Sequence, residues 1–328
     1  MARRVTLRSH SAPFTVILWV LFQWSVQVAA AELGNYPGRL GIAKAEKLSP
    51  EQREVEARFA AYLETHTEEA IERYLKKYGK EINTDNVREL STDYAPGGME
   101  AEDPKTVAAR TQWGDAVHEP ASALTRELYR RALAKETPPD RRKQVVFVVG
   151  GAGVGKTTSI RKLSTLNHAV EAAEIVYDTI FSNLRSSAAR VTQALDAGRM
   201  ASIIFVYRDP MDSFIDGMLP RAKRVGRTLP LEIYLNSHIG ALEIFPRLTE
   251  NFKDDRRVAF AVIDNSRGAE HATVADVDFV KTMARKYSRE DLRAKLLRAL
   301  EDGYEKGKRG GKDGIPENIY RAIKGDAP

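Results

Sequence analysis

The stretch QVVFVVGGAGVGKTTSI, residues 144–160, constrains this chain more than any other. Gln144–Val149 is a short, β-branched, apolar run, the pattern of a parallel strand buried on both faces. Gly150 to Thr157 spells G-x-x-x-x-G-K-T, and Thr158–Leu166 has helix-forming composition. Strand, glycine loop and helix in that order are the context of a phosphate-binding loop. Glycines let backbone N–H groups turn inward around phosphate oxygens, where side chains would block the approach. The expected anion site is formed by Gly150, Gly151, Ala152, Gly153, Val154, Gly155, Lys156, Thr157 and Thr158. In such a loop Lys156 reaches the β- and γ-phosphates, the Thr157 hydroxyl holds Mg²⁺, and the helix adds its positive N-terminal end. The ligand read from these residues is a nucleoside triphosphate with Mg²⁺.

Composition narrows the alternatives. A chain of 328 residues with 43% hydrophobic content can bury one large core or two small ones. The net charge is +6, but Arg3, Arg4 and Arg8 supply three of those charges. Beyond residue 31 there are 48 basic against 45 acidic residues, too mild and too well mixed a balance to indicate a nucleic-acid partner. The chain has no Cys, which excludes disulfides, thiolate metal sites and a Cys nucleophile. Its six His show no H-x-x-x-H spacing, and His118-Glu119-Pro120 lacks the second His that a zinc-protease helix needs.

Taken in order, residues 1–31 have the layout of a secretory signal. A basic start precedes the apolar stretch Pro13–Val28 and the small residues Ala29-Ala30-Ala31. Uncleaved, the same stretch is nearly long enough to anchor in a bilayer, with Trp19 and Trp24 suited to its interfaces and Gln23 and Gln27 opposing that reading. A third reading is a start codon placed too far upstream. Export also conflicts with ATP chemistry, which favours a catalytic domain in the cytoplasm. Residues 32–80 read as a helical region: Ser49-Pro50-Glu51-Gln52 forms a capping box, and Thr67 is expected to cap a second helix ending near Gly79. Residues 81–287 are expected to form an α/β domain with a mostly parallel sheet, and residues 288–328 a C-terminal helix and a flexible tail. Within the α/β part, Glu81–Pro96 begins strand-like and turns helical near Asp85, and Ala116–Ala134 is an amphipathic helix. Strands are expected at Glu174–Tyr177, Ala201–Tyr207 and Arg257–Ile263, each ending at acids, and ligands in such sheets sit beyond the strands' carboxyl ends.

The type of phosphate-loop protein follows from what is present and missing. A GTPase needs N-K-x-D, which the chain lacks, and the strands do not end in the Asp-Glu of motor ATPases. A small-molecule kinase needs a carboxylate to take the acceptor's proton and cations for the transferring phosphoryl group. Asp85 or Asp178 supplies the first, unless each is only a helix N-cap at a strand end. Arg221, Arg224 and Arg227, with Lys223, supply the second, unless they form a solvated helix face.

Four stretches, GGAGVGKTT, IVYDTIFSN, FVYRDPMDSFIDGMLPRAKRVGRTLP and VIDNSRG, together resemble the zeta toxin kinases over most of Gln144–Gly268. The resemblance implies an ATP-dependent toxin–antitoxin kinase acting on the 3′-hydroxyl of UDP-N-acetylglucosamine or a related UDP-amino sugar, with an antitoxin protein as partner. Catalysis then falls to Lys156, Arg221 and Arg227 with one of the acids. One departure matters: a single strand, ending at Asp178, separates the loop helix from the Arg-Asp-Pro strand, where the family has two acid-bearing strands. INTDNVREL and AVHEPASALTRELYRRALA, upstream, resemble the missing unit. A permuted order makes Asp85 the general base and Asp178 the acid that orients the sugar. The rival assignment makes Asp178 the base. Two further readings are a kinase for another acceptor, and an ATP-dependent binding protein held at a membrane by residues 1–31.

Overall fold

The computed structural model describes residues 40–325, so the signal or anchor read in residues 1–31 lies outside the described residues. The chain enters through α1 (Pro50–Thr65) and α2 (Thr67–Tyr78), passes β1 (Glu81–Ile82) and α3 (Thr84–Arg88), and continues through α4 (Pro104–Trp113) and α5 (His118–Ala134). Then come β2 (Arg142–Val149), α6 (Lys156–Lys162), α7 (Ser164–Ala172), β3 (Ala173–Thr179), α8 (Leu184–Asp196) and β4 (Met200–Tyr207). A helical turn (Pro210–Asp212) and a π-helical segment (Ser213–Met218) run into α9 (Leu219–Val225), followed by α10 (Leu231–Phe252) and β5 (Val258–Asp264). The last elements are β6 (Thr273–Ala275), α11 (Val277–Ala284), α12 (Arg289–Lys308) and α13 (Glu317–Lys324).

The strands form one six-stranded sheet in the order β1-β3-β2-β4-β5-β6, parallel except for β6. This is the α/β, mostly parallel architecture expected of a phosphate-loop protein. Alternation along the strands sorts the core into two layers. Val145, Phe147, Tyr177, Ile203 and Phe205 face α1, α2, α5, α8 and α10, whereas Val146, Val148, Val176, Ile204 and Val206 face Ile160 of α6. Register then brings the functional ends together: Val149 pairs with both Thr179 and Phe205. The phosphate loop, Asp178 and the Arg208 segment therefore leave the sheet at the same edge. β1 precedes the phosphate-loop strand in the chain yet lies beyond β3 in the sheet, so the upstream unit is built into the sheet.

The helical region before β1 belongs to this core too, through Val55, Phe59, Leu63, Ile71 and Tyr74. Its capping box forms as expected, with Ser49 Oγ accepting from the Gln52 amide at 3.2 Å and Gln52 Oε1 from the Ser49 amide at 3.1 Å. Thr67 does not cap α2. Only His66 separates the two helices, so Thr67 is already helical and its hydroxyl donates back to the Leu63 carbonyl at 2.6 Å. The helix expected over Thr158–Leu166 starts at Lys156 and is split at Leu163, whose extended backbone turns its side chain toward the core. β6, only three residues long, carries no periodicity from which a strand can be read.

The C-terminal segment is not the flexible tail expected from its Lys and Gly content. Ile315, Ile319 and Ile323 recur every four residues and are all buried, joining Leu292, Leu296 and Leu300 of α12 in a separate cluster. Gly303 and Gly307 make room for the return: a Cβ at Gly303 would stand 2.6 Å from Ile315 Cδ1. Tyr304 and Tyr320 stack with centroids 4.1 Å apart. Ile323→Ala is expected to lower unfolding free energy by about 2–4 kcal/mol in urea titration, whereas an undocked tail would leave the midpoint unchanged.

Candidate functional site

The phosphate loop is held open by contacts from behind. Gly153 has φ +78°, and a Cβ there would approach the Ser213 carbonyl to 2.5 Å, so this position needs glycine on both counts. Ala152, at the crest, is gripped through both backbone groups. Its carbonyl accepts from His238 Nε2 at 2.9 Å and its amide donates to Ser237 Oγ at 3.3 Å, both on α10. Asn265, just past β5, donates to the Val154 carbonyl at 2.7 Å. Burial pushes the His238 imidazole down to about 4, against the hydrogen bond to Ala152, so the ring is neutral and donates through Nε2. Lys156 donates to the Gly150 carbonyl at 3.2 Å and stands 3.4 Å from Asp178. Thr157 and Thr158 lie exposed in the first turn of α6, where the leading amides have no partner within the helix.

The two acids meet in this cleft, and a residue that the sequence reading passed over joins them. Asn83 caps α3: its Oδ1 accepts from the Asp85 amide at 2.8 Å while its Nδ2 donates to Asp178 Oδ2 at 2.9 Å. Neither acid is an N-cap. Asp85 stands 3.5 Å from Arg88 and 3.6 Å from Arg221, with 37% of its side chain open to water. Crowding by protein atoms raises its pKa, but the charges of Arg88, Arg221 and Arg227 outweigh this and hold the carboxyl well below the usual range. Asp178 is shifted the other way: burial and the charge of Asp85 raise it, against the pull of Lys156. One environment thus drives two neighbouring acids apart, an arrangement common where one site needs two protonation behaviours.

The expected cationic cluster divides. Arg221 is half-exposed and faces Asp85. Arg227 lies within electrostatic reach of Asp85, but its guanidinium is not free: it donates to Glu89 at 2.8 Å, and Glu89 also receives the buried Arg110 at 2.6 Å. Its first task is therefore to anchor the segment after α9. Lys223 turns away to the Asp313 carbonyl at 2.7 Å, and Arg224 is the solvated side chain of the plainer reading, 72% exposed. Arg88 and His118 complete the cleft, 2.5 Å apart, with crowding by protein atoms and then Arg88 pushing the imidazole down to about 4. His118 entered the sequence reading only as an incomplete zinc motif, and Arg88 not at all, although it lies one helical turn after Asp85. Among the described residues no group of three or more His, Asp or Glu is placed to hold a metal, and no helix is long and apolar enough to cross a membrane.

No family model matches this chain, and no curated protein matches it.

Glu89→Ala leaves Arg110, 1% exposed, without its counter-charge and is expected to cost about 3–5 kcal/mol of stability, measured by denaturant unfolding. His238 sets a pH dependence. Its folded pKa lies below the ordinary value of 6.5, so the unfolded chain binds the extra proton first as pH falls. The stabilisation is complete above about pH 6.5 and is lost progressively toward pH 4, up to roughly 3 kcal/mol. Unfolding measured across that window should show a shallower loss in His238→Gln than in the parent.

Proposed function

We propose that this chain is a kinase that transfers the γ-phosphate of ATP to a hydroxyl of a UDP-amino sugar, such as the 3′-hydroxyl of UDP-N-acetylglucosamine. The observation that carries the reading is one cleft at the carboxyl edge of the sheet. There Lys156 stands 3.4 Å from Asp178, Asn83 links Asp178 to Asp85, and Arg221 faces Asp85. The acceptor class rests on the resemblance of the stretches around Asp178 and Arg221 to the zeta toxin kinases. The position of β1 beyond β3 supports the permuted assignment, because it brings the upstream Asp85 to the acceptor side of Asp178.

The residues present fit the nucleotide. Lys156 is satisfied by a carbonyl and a carboxylate that it can exchange for phosphate oxygens, and the leading amides of α6 have no partner within the helix. The exposed Thr157 hydroxyl suits Mg²⁺, an ion that keeps several waters and needs few protein ligands. Bound ATP supplies the transferable phosphoryl group, and Mg²⁺ offsets the charge on its oxygens. Lys156 holds the β- and γ-phosphates. Arg221 swings its guanidinium from Asp85 to the transferring group, with Arg227 adding charge from its fixed position. Asp85, ionised throughout the neutral range, accepts the acceptor hydroxyl's proton as the new O–P bond forms and the bond to ADP breaks. Release of Arg221 raises the basicity of Asp85 at that moment. Asp178 orients the acceptor and holds Lys156 in register.

The test is mass spectrometry of the protein incubated with Mg-ATP and a panel of UDP-sugars. One added phosphate on a UDP-amino sugar is expected, with the rate lowered about 10²–10³-fold in Lys156→Ala. Asp85→Asn should abolish transfer and Asp178→Asn only weaken it. The reverse order of effects would make Asp178 the base. ATP bound without any sugar modified would discard the sugar-kinase reading.

A further inference from the structure

Asp85 is hemmed in by cations yet hydrogen-bonded to none of them. Arg88 Nη1 stands 3.5 Å away and Arg221 Nη2 3.6 Å, beyond the roughly 2.7–3.2 Å of a good hydrogen bond. Among the described residues, charge and crowding act on the carboxyl, and no donor is bonded to its oxygens. Such a carboxylate is ionised and keeps lone pairs free, as a proton acceptor requires.

Its separation from Arg88 needs a cause. The two residues lie three apart on α3, the spacing at which opposite charges meet on a helix. A guanidinium in reach of a carboxylate ordinarily closes on it with paired, charge-assisted hydrogen bonds. Here the guanidinium is drawn elsewhere. Arg88 Nη2 stands 2.5 Å from His118 Nδ1, the one hydrogen bond of its side chain among the described residues. Its Nε is buried without a partner and its side chain is only 11% exposed, so the bond to His118 fixes how it lies. α5 brings His118 to this point because Ala121 and Leu124 share the core with Val87 of α3.

The ring can only be an acceptor here. Arginine carries donors alone, so Nδ1 offers its lone pair and the ring proton sits on Nε2. His118 opens α5, where the positive end of the helix opposes a charged imidazole. Crowding by protein atoms opposes it first and the charge of Arg88 second, with Arg126 of the same helix adding to them against the pull of Asp85. The ring is therefore neutral near pH 7.

We propose that His118 is a positioning residue for Asp85: the imidazole accepts from Arg88 and holds that guanidinium back, leaving the carboxylate charged but with a lone pair free. The inference rests on the kinase reading for the role of Asp85 as base. It also divides the arginines, since Arg88 is fixed while Arg221, 43% exposed, is able to leave Asp85 for the phosphoryl group.

One arm of the test needs no turnover. Long-range ¹H–¹⁵N spectra of the full chain, with the His118 signals assigned by their loss in His118→Asn, should show a neutral ring protonated on Nε2 at neutral pH. Its midpoint should lie well below 6.5, and Arg88→Met should raise it by removing a repelling charge. In protein labelled with ¹⁵N-arginine, Asp85→Asn should move the Arg88 guanidinium signal several-fold further when His118→Leu is also present, because the freed guanidinium then rests on Asp85. If His118→Leu does not fold, His118→Ala takes its place.

The other arm follows transfer. His118→Leu should lower kcat about tenfold while the KM for each substrate stays within about twofold. His118→Asn, whose Oδ1 accepts where Nδ1 did, should keep kcat within about twofold of the parent. Adding Arg88→Met to His118→Leu should restore most of the loss, a recovery that packing damage does not give. A ring protonated on Nδ1 at neutral pH, equal losses in His118→Leu and His118→Asn, or no recovery with Arg88→Met would overturn the inference. A parent that transfers no phosphate sinks the kinase reading alone. The hold on Arg88 is then decided by the spectra, and an equal response to Asp85→Asn with and without His118→Leu rejects it.

Discussion

One carboxamide spans the two acids on which the cleft depends. Asn83 accepts from the Asp85 amide with its oxygen and donates to Asp178 with its nitrogen, so both ends of the group are committed and it cannot turn over without losing both bonds. The bridge ties the edge strand β1 and the start of α3 to the end of β3. It also sets two negative charges near one another, which is tolerable only because cations surround them. Arg88 and Arg221 flank Asp85, and Lys156 flanks Asp178. Glu89 then fixes the arginines' side of the cleft from beneath, holding Arg110 and Arg227 in the interior. Removing one member of such a buried set exposes the others to the full cost of an unpaired charge.

The phosphate loop shows the complementary strategy, in which neutral groups do the holding. Ser237, His238 and Asn265 bind backbone groups of Ala152 and Val154, and the imidazole is kept uncharged by burial. With neutral partners bonding the outer face of the loop, the charged contact there is the pair of Lys156 and Asp178. The π-helical segment Ser213–Met218 packs against the same loop, where a Cβ at Gly217 would come within 2.4 Å of the Gly153 carbonyl. The segment that carries Arg221 is thus in contact with the loop that would hold the phosphates, and movement of one must be felt by the other.

Elements from both ends of the described chain meet outside the parallel sheet. α1 contributes Gln52 and α13 contributes Asn318 and Arg321 to one surface groove. α1 is packed into the core through Val55, Phe59 and Leu63. α13 stays in place because Ile315, Ile319 and Ile323 are buried against α12, at positions where Gly303 and Gly307 allow close approach.

Local chemistry made the phosphate loop, the parallel sheet and the capping box of α1 legible before any coordinates. Each is specified by neighbouring residues: glycine spacing, a β-branched run, a Ser three residues before a Gln. Residue type also marked Asp85 and Asp178 as candidate acids and Arg221, Lys223, Arg224 and Arg227 as candidate cations, and the narrower set of Lys156, Arg221 and Arg227 came from the resemblance. The sequence could not separate Arg221 from Arg227 and Arg224, because a guanidinium's task depends on whether a carboxylate from elsewhere reaches it. Glu89 does so for Arg227, 138 positions away. Asn83 was passed over for the same reason, its partner Asp178 being 95 positions distant. The tail was misread because three isoleucines at every fourth position among lysines and glycines signal a helix only when a partner face exists to bury them. Sequence alone therefore determined what could bind phosphate, since that is a property of contiguous backbone. Tertiary structure decided which charges are free to act, since that depends on groups brought together only by folding.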